Sequence, residues 1–468
     1  MLRLHNTRTR RKEDFEPLEQ GVVKLYACGP TVYDFPHIGN LRTFLFSDLL
    51  ARHLRRFGYE VRNVMNITDV DDKTIRGASE EDVSLQEYTQ SYTEYFFEDL
   101  EALRIEPAWK YPRATDYIQE MLEVAETLLQ RGHAYEHEGS VYFDISSFPE
   151  YGKLSGIVPD ENESREFGRL DQDEYEREDA RDFVLWKASK EDEPSWDSPW
   201  GAGRPGWHIE CTAMSTAYLG NTLDIHLGGV DLVFPHHENE IAQSEAYTGE
   251  EFVRYWVHPE HLIVEGEKMS KSKGNFFTLR DLLDRGCDPI AIRHLLMTAH
   301  YRRQLNFTVE GLEQSLHALE RLWDFADRMS EVPADAEGED LAGEVEAALS
   351  KFEAALNDDL NVPGAMAAVF ALVRQVNPLL AEGRVSADGA QRVLDFFADA
   401  DRVLGIIEHQ DRADAAGADD AEIEALVQER QEAREAGDYA RADEIRDELL
   451  EQGIVIEDTA HGPRWRRE

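Results

Sequence analysis

The chain has 468 residues, 42% of them hydrophobic and 10% aromatic, enough for roughly two to four domains with sizeable cores. Asp and Glu number 95 against 49 Lys and Arg, a net charge of −46, which argues against a broad basic face for nucleic-acid phosphates. Three cysteines make no disulfide framework, no run of about 18 apolar residues stands out, and MLRLHNTRTRRKEDFEP lacks the apolar stretch of a signal peptide, so a cytoplasmic protein with no membrane partner is expected.

Self-repulsion at this charge is destabilising at low salt and is screened at molar salt, where the Debye length falls to about 3 Å. The charge therefore predicts a surface adapted to a salty cytoplasm, as in a halophile. A nucleic-acid partner stays compatible with it, because counterion-release binding is already weak at high salt.

Residues 22–110 read as α/β. VVKLYAC has the character of a buried strand ending at Gly29-Pro30, a helical pattern runs from Leu41 to Phe57 and stops at Gly58, and EVRNVMNITDV supplies a second, β-branched strand. Strand, turn, helix, strand is the unit of a doubly wound parallel sheet. Residues 112–205 read as an insertion. It holds a helix from Thr115 to Arg131, a hairpin in HAYEHEGSVYFDI, and the acidic stretch PDENESREFGRLDQDEYERED, expected to be a solvated loop. The α/β pattern returns with the strand TLDIHLGG and a helix around HHENEIAQSEAYTG. Beyond about Thr308 the chain is mostly helical, as in VEGLEQSLHALERLWDFADRM and EVEAALSKFEAALNDDL. HQDRADAAGADDAE has linker composition. A small module follows, helical through EIEALVQERQEAREAGDYARADEIRDELLEQ and strand-like in IVIED.

In FPHHENEIAQSEA, His236 and Glu240 stand four apart and share one face of a helix. Cys28 ends the first strand, and Cys211 lies in GWHIECTAMS. Strand ends of a parallel sheet converge on one crevice. Two thiolates, an imidazole and a carboxylate suit tetrahedral zinc. Spacing leaves two other readings open: a solvated polar helix face, and a ligand set that draws on His208, His226 or His237. Cys287 has no ligand neighbours and reads as a plain thiol.

In PHIGN a histidine precedes a helix N-terminus opened by Gly39, an arrangement that cradles anions. VEGEKMSKSKGNF gathers three lysines in a lysine-poor chain, suited to neutralising charge at a triphosphate. PHIGN followed far downstream by KMSKS resembles the paired signatures of class I aminoacyl-tRNA synthetases. YACGPTVYD, NVMNITDVDDK, FVLWKASKEDEPSWDSPWGAGRPGWHIECTAMS, LDIHLGGVDLVFPHHENEIAQSEA and GEKMSKSKGN resemble the cysteinyl-tRNA synthetase family, over essentially the whole chain.

The resemblance implies ATP-dependent activation of L-cysteine to cysteinyl-adenylate, with Mg2+ accompanying ATP, and transfer to the 3′-terminal adenosine of tRNA(Cys). It puts His37 and Lys271 on the phosphate transition state, with Lys268 assisting, and ATP contacts on His37, Gly39 and Lys271. Asn40 stands where the class signature ends in histidine; its amide can donate to phosphate but carries no charge. Cys28, Cys211, His236 and Glu240 match the family's ligands for one zinc per subunit, which selects the substrate thiolate over serine's hydroxyl. Thr68, Trp207 and Asp231 match positions around the amino acid. Arg434, Tyr439, Asp443 and Asp458 match the anticodon-binding module, and GPRWRRE reads as a basic patch for the phosphate backbone.

The fold expected is α/β, a Rossmann-type class I catalytic domain (1–111 and 206–260) with a connective insertion (112–205). A KMSKS-containing link (261–307), a helical bundle (308–408), a linker (409–422) and a C-terminal α/β anticodon-binding module (423–468) follow. A monomer is expected. Three rival readings remain: a cysteine–amino sugar ligase of mycothiol synthesis, which should lack the anticodon module; a non-catalytic tRNA- or zinc-binding paralogue, which would have lost Lys271 or His37; and a generic zinc-stabilised nucleotide-binding protein, which leaves the long matching stretches unexplained.

Overall fold

The computed structural model describes residues 1–157, 169–170, 182–190, 193–270, 274–408, 418–435, 438–451, 454–459 and 462–467. Most of the acidic stretch of the insertion, Lys271 and most of the expected linker lie outside them. The chain divides into two compact units, Met1–Ile407 and Glu408–Glu468.

The first unit is built on a four-stranded sheet in the spatial order Val253–Val257, Leu223–Leu227, Val22–Ala27, Glu60–Met65, with every neighbouring pair parallel. The order reverses between Val22–Ala27 and Leu223–Leu227. That is the switch point of a doubly wound sheet, where the crevice opens beyond the carboxyl ends of the strands. Cys28 is the first residue beyond one of those ends, and its N–H donates to the Leu227 carbonyl at 3.0 Å. The helix between the first two strands spans Ile38–Arg56, three residues longer at its start than its apolar pattern suggests, because His37 serves as its N-cap. Gly58, at φ +89°, ends it as expected.

The insertion carries the helix Ile118–Arg131, led in by a single tight turn, and an antiparallel hairpin, Ala134–His137 with Ser140–Phe143. The strand Asp182–Ala188 extends that hairpin's sheet. The helix Glu238–Thr248 follows a distorted turn over Val233–His237. Four helices, Val309–Ser330, Ala342–Asn357, Val362–Ala381 and Ala387–Leu404, form the bundle. One of them, Val362–Ala381, is long and apolar enough by length and composition to cross a membrane, an apolar stretch that the sequence reading passed over. Its Val362, Ala365, Met366, Ala368, Val369, Leu372 and Val376 are buried, and they join the apolar core that continues to Leu25 and Leu45 of the sheet domain.

Two buried arginines tie these parts together. Arg42, on the helix after PHIGN, donates to the carbonyls of Glu260 (2.7 Å), His261 (3.3 Å), His300 (3.3 Å) and Arg303 (2.8 Å). Arg293 pairs with Asp48 at 3.0 Å and donates to the carbonyls of Leu103 and Leu404. A fixed fork of five donors suits both tasks.

The second unit has helices Ala418–Glu435 and Tyr439–Glu451 and an antiparallel pair, Ile454–Thr459 with Gly462–Arg467. Its core is Ile423, Val427, Ile445, Leu449 and Ile454. The first helix starts inside the stretch of linker composition. GPRWRR is a strand, where the sequence suggested only a basic patch.

Candidate active site and metal centre

Each arm of the candidate metal cluster is delivered by a different element. Cys28 leaves the central strand, Cys211 sits on the helix Trp207–Leu219, His236 on the distorted turn, and Glu240 on the helix that follows. One ligand atom from each lies within 4.8 Å of all the others, and all four residues are buried. His236 Nε2 is 2.8 Å from Glu240 Oε1 and 3.6 Å from Cys211 Sγ, and Cys28 Sγ is 3.9 Å from the same carboxylate oxygen. Zinc bound at about 2.0–2.3 Å separates tetrahedral ligand atoms by roughly 3.5 Å, so the set fits such an ion. The polar-surface reading of this helix is ruled out by its burial.

The three competing histidines take distinct places. His208 Nδ1 meets His236 Nδ1 at 2.8 Å, on the ring edge turned away from the cluster, so it steadies that ring from outside the quartet. His237 Nε2 is 3.3 Å from Cys28 Sγ, and His226 Nε2 is 2.6 Å from Glu240 Oε2. Cys28, His226, His237 and Glu240 form a second set with the same compactness, sharing two members with the first. His258, which the sequence reading missed, holds His237 Nδ1 at 2.8 Å and is itself held by the Thr7 hydroxyl at 2.7 Å.

The electrostatics suit a cation. Burial works against charge on every member. Even so, Glu240 and Cys28 raise His236 to about 10. For Glu240, burial is outweighed by His226 and His236, and its carboxyl stays well below the usual range. Burial pushes the Cys211 thiol up, and Cys28 adds to the effect.

The first nucleotide signature opens the helix Ile38–Arg56. His37 Nδ1 accepts from the Asn40 N–H at 3.1 Å, while Asn40 Oδ1 accepts from the His37 N–H at 3.2 Å, a reciprocal cap. A neutral His37 whose Nδ1 accepts carries its proton on Nε2. Asn40 is thus engaged at the helix start, a role the sequence reading did not foresee. Gly39 is needed there: a Cβ would stand 2.9 Å from the His37 ring. The segment after KMSKS lies against the first signature, with His37 bridged to Thr278, the Ile38 N–H donating to the Phe277 carbonyl at 3.0 Å, and Phe276 edge-on to the His37 ring. Lys268 is exposed on the short strand Glu267–Lys268. Lys271 lies outside the described residues.

Of the positions matched to the amino acid, Trp207 stacks on His236 with ring centroids 4.1 Å apart, and the Thr68 hydroxyl is buried against Glu210. Asp231 is exposed on the turn Val230–Leu232 that leads into the metal segment. In the second unit, Arg434 is in the last turn of one helix, Tyr439 is exposed at the start of the next, and Asp443 pairs with Arg446 at 3.2 Å. Asp458 belongs to the strand Ile454–Thr459; its side chain lies outside the described residues.

Comparison with known proteins agrees with this arrangement. Family models match in chain order: the class I (C) tRNA synthetase catalytic domain over residues 14–317, the DALR domain over 351–408, and the cysteinyl-tRNA ligase anticodon binding domain over 418–466. The chain is 49% identical to a cysteine–tRNA ligase of Brachyspira hyodysenteriae, covering 99% of this chain and 98% of that protein. It is 50% identical to one of Solibacter usitatus, covering 100% and 99%. Among solved structures it is similar to Mycobacterium tuberculosis methionyl-tRNA synthetase in complex with methionyl-adenylate, with a TM-score of 0.61 at 16% identity over 82% of this chain and 90% of that one. It is also similar to the LeuRS of an Agrobacterium radiobacter ternary complex, with a TM-score of 0.60 at 12% identity over 84% and 85%. These two likenesses concern the fold, that of class I synthetases. Taken with the site, the matches place the chain in the cysteinyl-tRNA ligase family.

Proposed function

We propose that the chain activates L-cysteine with ATP and Mg2+ to cysteinyl-adenylate and transfers the cysteine to the 3′-terminal adenosine of tRNA(Cys). The observation that carries this reading is the buried quartet Cys28, Cys211, His236 and Glu240, in the unit where the first signature also bridges to the segment after KMSKS. A zinc ion held by the quartet would supply thiophilic recognition of the substrate sulfur, which serine's hydroxyl does not satisfy. The protein's own groups do the rest. Trp207 walls the ligand His236, and Thr68 and Asp231 take the polar end of the amino acid. His37, with its proton on Nε2, donates to the phosphates. Lys268 and Lys271 neutralise charge that grows in the transition state. Arg434, Tyr439, Asp443 and Asp458 read the anticodon from the second unit. Its match to the anticodon-binding family model supports this role and speaks against the mycothiol-type ligase. The domain limits expected from the sequence, a monomeric state, a cytoplasmic setting and an optimum at molar salt complete the proposal.

The test is transfer of labelled cysteine to tRNA(Cys) in molar KCl, with serine as control. Charging with cysteine and not serine is expected. Cysteine-dependent pyrophosphate exchange without charging, on tRNA already shown to be chargeable, would overturn the tRNA reading.

A further inference from the structure

Gly29, Asn66, Thr68 and Glu210 form a hydrogen-bonded relay that runs in one direction. The Gly29 N–H donates to Asn66 Oδ1 at 2.9 Å, which sets the orientation of that amide. Asn66 Nδ2 then donates to Thr68 Oγ1 at 3.1 Å, and the Thr68 hydroxyl donates its only proton to Glu210 Oε1 at 2.6 Å. The relay joins the two cysteine arms of the metal cluster, since Gly29 follows Cys28 and Glu210 precedes Cys211. The Asn66, Thr68 and Glu210 side chains are each at most 2% exposed. Glu210 Oε2 is buried and receives no hydrogen bond from the described residues. The carboxylates nearby are already engaged: Asp69 accepts from the Thr115 N–H and hydroxyl, and Asp71 caps the helix Asp72–Glu80.

With its proton committed to Glu210 and one lone pair taken by Asn66, the Thr68 oxygen has a single lone pair left. It can only accept. A hydroxyl in that state, backed by a carboxyl with an unsatisfied oxygen, complements a protonated amine and disfavours a carboxylate. We propose that Glu210 is a positioning residue that, through Thr68, makes this end of the pocket selective for the α-ammonium group of the amino acid. The proposal rests on the reading that Thr68 holds the substrate's polar end.

The test compares cysteine with 3-mercaptopropionic acid, which keeps the thiol and carboxylate and lacks the amine, as ligands of the zinc-loaded full chain. The KM for cysteine and the Ki of the analogue are read in cysteine-dependent pyrophosphate exchange. Glu210→Met and Glu210→Leu remove the acceptor at similar size, so one folded variant suffices. Each should raise the cysteine KM by about tenfold or more, the scale of losing a hydrogen bond to a charged group. The analogue's Ki, the KM for ATP and the zinc content should stay as in the wild type. Thr68→Val should reproduce the loss of preference. Equal weakening of both ligands, or an unchanged preference in the Glu210 variants, would overturn the role of Glu210. A wild-type chain without cysteine-dependent exchange would instead overturn the functional reading beneath it.

Discussion

Two helices of the first unit are anchored in its interior by opposite means. In Val362–Ala381 the buried residues are all apolar, and the helix is held by contact area. In Glu238–Thr248 the buried residues include Glu238, Asn239, Glu240, Gln243 and Ser244. Each of these has a partner, although Gln243 Oε1 receives no hydrogen bond from the described residues. Glu238 accepts from the backbone of Gly152 and Ser155, Asn239 from the Tyr151 hydroxyl, and Glu240 meets His226 and His236, while Gln243 and Ser244 meet Thr212. An unanswered buried polar group costs about 1–3 kcal/mol, so such a helix is stable only in one arrangement of its neighbours. The apolar helix is held by contact area, and the polar one by directional bonds.

That contrast can be broken from either side. The largest effect is expected at the metal cluster. Cys211→Ser should lose bound zinc and cysteine activation together, by more than the roughly 10–100-fold typical of outer-layer changes. Metal analysis beside pyrophosphate exchange would show it, and full zinc with lost activity would remove Cys211 from the ligand set. On the apolar helix, Leu372→Ala should cost about 2–5 kcal/mol of stability, seen in urea unfolding, with zinc content and activity per folded molecule preserved. A loss of zinc there would mean that the two helices are not independent. The smallest effect concerns acid. Burial pushes His294, whose ring meets Phe370 of the apolar helix edge-on, down to about 4. Between pH 6.5 and about 4 the unfolded chain therefore binds a proton that the folded chain does not, and stability falls as pH falls through that window. His294→Leu should flatten the decline in urea midpoint relative to wild type. An identical slope would show that His294 charges without resistance.

Much of this was legible in the sequence. The four-residue spacing of His236 and Glu240 and the placement of Cys28 at a strand end pointed to the quartet that the fold gathers, because helical and sheet periodicities are local properties. Spacing could not sort His208 from His226 and His237. That depends on which ring nitrogen faces inward, a property of tertiary packing. The density of charged and amide residues in HHENEIAQSEA allowed a solvated face, and only the surrounding backbone donors and hydroxyls show why it is buried. Asn40 was weighed as a phosphate donor, while its carbonyl oxygen is used to cap its own helix. The strand Gly462–Arg467 was hidden by its arginines, whose charge masks the alternation of an edge strand.

Arg42 carries a consequence for how this fold is read across relatives. Its guanidinium binds four backbone carbonyls, those of residues 260, 261, 300 and 303, and no side chain of those residues takes part in these bonds. Every amino acid brings a carbonyl. Those four positions are therefore free to drift without weakening these bonds, while Arg42 is not. Compensating substitutions have nothing to act on through these bonds, so this joint between the signature helix and the two loops it gathers should leave little correlated signal in aligned sequences. Methods that infer proximity from paired changes should pass over one of the most heavily bonded side chains in the first unit.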